Sequence, residues 1–161
     1  MWSMMTEDLI QWFPAPIGQG GKDVPDETNG HELHPTVLEL ARGQNFAALT
    51  TLLPSGHPQT QMMWVDANNR HLLINTEVHR QKFRNVERDP RVTVMIWDKE
   101  DPYRFVEVRG EVVEKVKGLE ARKHIDELSH KYRGRPYQTR IRSERVVLRI
   151  APLRQVIRIP S

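Results

Sequence analysis

What restricts this chain most is its punctuation: apolar segments of about five to ten residues, each closed by Pro, Gly, Asn or Asp, follow one another almost to the end. Asn45 to Leu53, rich in Leu, Ala and Thr, reads as a strand. Pro54-Ser55-Gly56-His57 then reads as a hairpin turn with a positive φ at Gly56. Gln59 to Val65 is the return strand and alternates, with Gln59, Gln61 and Met63 on one side and Thr60, Met62 and Trp64 on the other. Asp66-Ala67-Asn68-Asn69 turns again, and His71 to Thr76 forms a third strand around Leu72-Leu73-Ile74. Arg91 to Trp97 is apolar on both of its alternating sets, which predicts cover on both faces. Phe105 to Val116 is a long strand in which Gly110 marks a candidate bulge. Arg145 to Ile150 and Arg154 to Ile159 are expected as two strands separated at Pro152. Six or seven short antiparallel strands make a mostly β fold with flanking helices. A meander of that size tends to close into a barrel, because closure removes exposed edges.

Three segments have helical spacing instead. Pro35 to Ala41 begins with proline, suited to a first helical position, and is followed by Gly43 as a stop. Gln81 to Arg88 ends before Asp89-Pro90, since a residue preceding proline avoids the α region. Leu119 to Tyr132 places Leu119, Ile125, Leu128 and Tyr132 near one face. Residues 1–30 differ from the rest: Trp12-Phe13-Pro14-Ala15-Pro16, the glycines from Gly18 to Gly21, Pro25 and Gly30 resist helix and strand alike. They are expected to form a flexible arm, or one that docks through Trp2, Trp12 and Phe13, ahead of a single domain spanning 31–161.

Composition removes several classes of function. There is no cysteine, hence no disulfide, thiolate metal site or cysteine nucleophile. His31 and His34 stand three apart rather than at the four-residue spacing of a helical zinc pair, so no metal is expected. No apolar run approaches the roughly 20 residues that span a bilayer. Glu7 and Asp8 interrupt any signal-peptide pattern, so a cytoplasmic protein without a membrane partner is expected. The formal charge is only +3, with Lys and Arg scattered over every segment. That argues against a nucleic-acid partner, which would need a basic stripe, and suits a small anionic ligand. The apolar share of 38% is low and suggests that some apolar surface is buried against a second copy. G-x-G-x-x-G after a strand, the P-loop and G-x-S-x-G are all absent.

The stretch with chemical content runs from Asn75 to Arg91. A strand ends at Thr76, a polar turn follows, and a helix opens with Arg80 and Lys82 at its mouth. Unpaired helix amides, a hydroxyl and two cations can together make a phosphate cradle, and a solvated, charged helix face is the alternative reading of the same residues.

The order of segments resembles the pyridoxamine-phosphate-oxidase-like superfamily. Asn45-Phe46-Ala47-Ala48-Leu49-Thr50-Thr51-Leu52 and Gly56-His57-Pro58-Gln59-Thr60 resemble its opening hairpin. Arg80-Gln81-Lys82-Phe83-Arg84-Asn85-Val86-Glu87-Arg88-Asp89-Pro90-Arg91 is similar to the K-x-R-N-L-x-R-D-P-R helix of the deazaflavin-dependent branch, with Val86 in place of Leu. Asp101 to Gly110 and Lys131 to Tyr137 resemble that branch too. The resemblance implies a split β-barrel homodimer with cofactor sites at the interface. It implies coenzyme F420, or alternatively FMN, held at its phosphate by Thr76, Arg80 and Lys82, with Asn75 helping at the strand end. Gln59, Thr60, Gln61 and Met62 would border the ring, and Trp97, Tyr103 and Arg104 would reach across from the other chain. No catalytic side chain is implied, because the hydride belongs to the cofactor. The implied activity is reduction of a small electron-poor organic substrate by F420H2. A non-catalytic flavin or F420 carrier is the alternative of another class.

Overall fold

The computed structural model describes Val24–Pro25 and residues 32–160. The expected arm otherwise lies outside the described residues. Within them the strands are β1 (Val24–Pro25), β2 (Ala47–Leu52), β3 (Pro58–Met63), β4 (Asp66–Ala67), β5 (Leu72–Glu77), β6 (Arg91–Trp97), β7 (Phe105–Lys117) and β8 (Arg145–Arg158). The helices are α1 (Pro35–Arg42), α2 (Gln81–Arg88) and α3 (Leu119–Arg133). All pairings are antiparallel, in the order β3-β2-β6-β7-β8-β5-β4, with β1 lying on β8 opposite Val156 and Ile157. The sheet coils without closing, a split barrel whose ends are β3 and β4. Among the described residues no helix is long and apolar enough to cross a membrane.

The inner face holds the core. Leu49 of β2, Val94 and Ile96 of β6, Val106 and Val108 of β7, Leu72 and Ile74 of β5, and Leu148 and Ile150 of β8 are all essentially inaccessible. Helix α1 closes one end with Val37, Leu40 and Ala41. Helix α3 covers the other side of β5 and β8. There Ala121, Ile125 and Leu128 of α3 are buried, as is Val147 of β8. The hairpin turn is as expected, with φ of +82° at Gly56.

Five expectations change. Val24–Pro25, within the segment expected to resist strand, pairs with β8, and Asp66–Ala67, expected as part of a turn, pairs with β5 as a short strand. β8 is one continuous strand across Pro152, because Pro152 faces Gly110 where the register shifts and needs no ladder hydrogen bond there. Gly110 is required by that crossing rather than by its own backbone angle. Leu119 does not join the apolar face of α3 but is 89% exposed at its first turn. The alternate set of β6, Thr93, Met95 and Trp97, is only half-buried within one chain, while Val92, Val94 and Ile96 are buried. This less covered face runs across the sheet, from Met62 on β3 through Ala48 and Met95 to Glu107 and Val156.

Candidate functional site

The site forms where β5 hands over to α2. Arg80 caps the helix without using its side chain, and the first-turn amides of Gln81 and Lys82 find no acceptor among the described residues. Lys82 is 8% exposed, and no described carboxylate or carbonyl meets its ammonium. Burial, with Arg80 and Arg145 beside it, pulls the Lys82 ammonium below the ordinary lysine value. A partly desolvated cation without a counter-charge is costly, and an anion would complete it. The Thr76 hydroxyl, on a buried residue, also lacks a described partner.

Sequence reasoning missed Arg145, the third cation. It lies directly across the ladder from Glu77, some 70 residues away in the chain, and only the β5–β8 register brings it here. Its Nε donates to Asn75 Oδ1 at 2.8 Å, a terminal nitrogen reaches Glu77 Oε1 at 3.4 Å, and the guanidinium sits 5.3 Å from the Tyr137 ring centre. Glu77 does not cancel this charge freely. It also accepts from the backbone amides of Arg142 at 2.7 Å and Ser143 at 2.8 Å, folding that loop onto β5. Burial alone would push its carboxyl up, but those two amides and Arg145 hold it below the ordinary carboxylate range.

Asn75 and Thr76 project to opposite faces of β5. Thr76 shares its face with Ile74, whereas Asn75 turns under α3. Asn75 also lines a cavity of about 280 Å³ shared with Phe46, Met62, Trp64, Arg133 and Tyr137. The cavity wall is aromatic and ordered. Trp64 stacks on Tyr132 at 5.1 Å and 5°, Tyr137 meets Trp64 edge-on at 6.4 Å, and Arg133 lies 5.0 Å from the Trp64 ring centre. Thus the Arg80, Lys82 and Arg145 cluster is joined to an aromatic-walled bay of mixed polarity through Asn75 and Tyr137, which line the bay and touch Arg145. The arrangement can receive a ligand with an anionic end and a planar ring.

The β3 residues expected beside the ring divide by the pleat. Gln59 accepts from Asn85 Nδ2 at 3.3 Å, and Thr60 exchanges a hydroxyl hydrogen bond with Thr50 at 2.8 Å. Gln61 is exposed, and Met62, 66% exposed, reaches the cavity. Trp97, Tyr103 and Arg104 are not brought to this cavity by their own chain. Trp97 lies opposite Phe105 on the less covered face, Tyr103 is exposed, and Arg104 is clamped by Asp98 at 3.1 Å and Glu39 at 2.7 Å. Other residues of the α2 motif serve the scaffold. Asn85, fully buried, donates to Thr51 at 2.9 Å and accepts from Gln81 at 2.9 Å, tying α2 to β2 and β3. Asp89 accepts from the Arg91 amide and guanidinium, which starts β6.

A family model described as Pyridoxamine 5'-phosphate oxidase matches residues 33–155. Among solved structures, one described as an F420 reductase superposes with a TM-score of 0.65 at 28% identity, covering 73% of this chain and 93% of its own. A conserved hypothetical protein of Mycobacterium tuberculosis gives 0.61 at 22% identity, over 84% and 94% of the two chains. General stress protein 26 of Bacillus anthracis gives 0.56 at 20% identity, over 76% and 91%. The last two likenesses concern the fold alone. No curated protein matches the sequence.

Proposed function

We propose that this chain, which belongs to the pyridoxamine 5'-phosphate oxidase family of flavin-binding oxidoreductases, is a reductase that uses the deazaflavin coenzyme F420. The observation that carries the reading is the buried Lys82, met by no anion among the described residues and beside Arg80 and Arg145, with Arg145 bonded to the Asn75 that lines an aromatic-walled cavity. In this reading Lys82, Arg80 and the free amides of the α2 mouth hold the phosphate, with Thr76 beside them. The ring lies along β3 near Met62, against the Trp64 and Tyr137 wall. Arg84, exposed and without an ion-pair partner among the described residues, suits an acidic tail beyond the phosphate. The 28% likeness to a protein described as an F420 reductase supports this choice over FMN.

When bound, the reduced cofactor supplies the hydride for a small electron-poor acceptor. The protein's part is to anchor the anionic end, fix the plane of the ring and exclude water. No side chain here is assigned as acid or base. The half-covered sheet face from Met62 to Val156 supports a homodimer that buries it, which would bring a partner's Trp97, Tyr103 and Arg104 towards the site.

The assignment is tested by replacing Arg80 and Lys82 together with Ala and titrating F420 by fluorescence. Loss of two charge-assisted contacts should weaken affinity by about 100-fold or more. Unchanged affinity would place the phosphate elsewhere.

A further inference from the structure

The hydrogen bonds beneath α3 determine more than their distances state. Arg145 Nε is a donor only, so the Asn75 atom 2.8 Å away is its oxygen. The other end of that amide is therefore the NH2 group. It donates to the Ala121 carbonyl at 2.8 Å and points at His124 Nδ1 at 3.2 Å. A donor aimed at Nδ1 requires a lone pair there, so the His124 proton sits on Nε2. That Nε2–H is enclosed and meets no partner, although His124 is only 7% exposed. A Leu of similar bulk would fill the space without burying an orphaned donor. The histidine's distinct contribution is the acceptor it presents to Asn75.

We propose that His124 is a positioning residue for the anion pocket, holding the Asn75 amide in the one orientation that lets its oxygen receive Arg145. This rests on the reading above, in which the Arg80, Lys82 and Arg145 cluster takes the cofactor's phosphate. With an acceptor at position 124, a flipped Asn75 would set NH2 against the donor Nε of Arg145 and oxygen against the Ala121 carbonyl. Without it, Asn75 loses one of the three contacts that exclude the flip. Arg145 then turns between Glu77 and Tyr137 with less constraint. Burial lowers the affinity of His124 for a second proton, against the opposing influence of Asp66 and Glu127, while Lys131 and Arg145 act with burial. The neutral imidazole that the geometry requires is thus the form present near neutral pH.

The test compares His124→Leu, which removes the acceptor, with His124→Asn, whose Oδ1 replaces Nδ1. Each full-length variant is titrated with F420 and its phosphate-free deazariboflavin core, and with FMN and riboflavin. Expected for the Leu variant is about a tenfold weaker affinity for the phosphate-bearing member of a pair, with the phosphate-free member unchanged. The Asn variant should recover most of the loss. Equal binding of the phosphate-bearing member by the wild-type protein and the Leu variant would overturn the proposal. If the Leu variant does not fold, ¹⁵N chemical shifts of His124 in the wild-type protein decide. Protonation at Nε2 supports the proposal, and protonation at Nδ1 refutes it. Should the wild-type protein show no preference for the phosphate-bearing member, the phosphate reading itself fails, a result distinct from both.

Discussion

Gly110 of β7 crosses β8 so closely that a Cβ on it would stand 2.2 Å from the Ala151 carbonyl oxygen. The obstacle is backbone, so a side chain cannot be accommodated by rotation. Gly110→Ala should therefore destabilise the fold by about 3 kcal/mol or more. Urea unfolding should show a lower midpoint with the slope unchanged. A loss under about 0.5 kcal/mol would mean that β7 and β8 separate there at little cost.

This crossing also shows where the sequence stops being readable. Strand identity followed from local alternation: β2, β3, β5, β6 and α2 lie where their patterns and turn residues put them. The Pro152 break was misread because proline stops a ladder only when its nitrogen faces a partner, and that depends on register. Leu119 was misread because the helical wheel does not say where a helix first touches the sheet. At the site, Arg80 and Lys82 stood out as cations at a helix mouth. Arg145, Asn75 as a shared border, and the anchoring by Asn85 depend on pairings across tens of residues, which no local pattern carries.

Lys82 offers a test in which function and stability move in opposite directions. The residue is buried and its partly desolvated ammonium meets no carboxylate among the described residues, so Lys82→Met relieves that desolvation while keeping the stem's packing. Thermal unfolding without ligand should occur about 3 °C higher, from about 1 kcal/mol of relief. Affinity for a phosphate-bearing cofactor should fall by about 10- to 100-fold. A variant both less stable and unchanged in binding would make Lys82 a packing residue only.

The pH dependence of stability follows from His124. Its folded pKa is lowered from 6.5 by burial, so below that value the unfolded chain takes up a proton that the folded chain refuses. The contribution is complete above pH 6.5 and is lost as pH falls from there towards the folded pKa. The slope from this group is at most about 1.4 kcal/mol per pH unit. In His124→Asn that slope should be absent from chemical-denaturation curves taken between about pH 5 and pH 7. An identical slope in both proteins would assign the acid sensitivity to other groups.

Asn85 should prove to be the anchor of α2. It is fully buried and bonded to Thr51, Gln81 and Gln59. Asn85→Ala leaves those groups unpaired and should cost about 3 kcal/mol in unfolding free energy. Amide exchange should quicken first in residues 81–88. Unaltered exchange in α2 would show that Phe83 and Val86 hold the helix without it.

The most direct measurement is a side-by-side fluorescence titration of the purified protein with F420 and FMN. The account predicts saturable binding of both phosphate-bearing ligands through the Arg80, Lys82 and Arg145 cluster, with F420 the tighter. Tighter binding of FMN would contradict the deazaflavin assignment, and binding of neither would contradict the cofactor site as a whole.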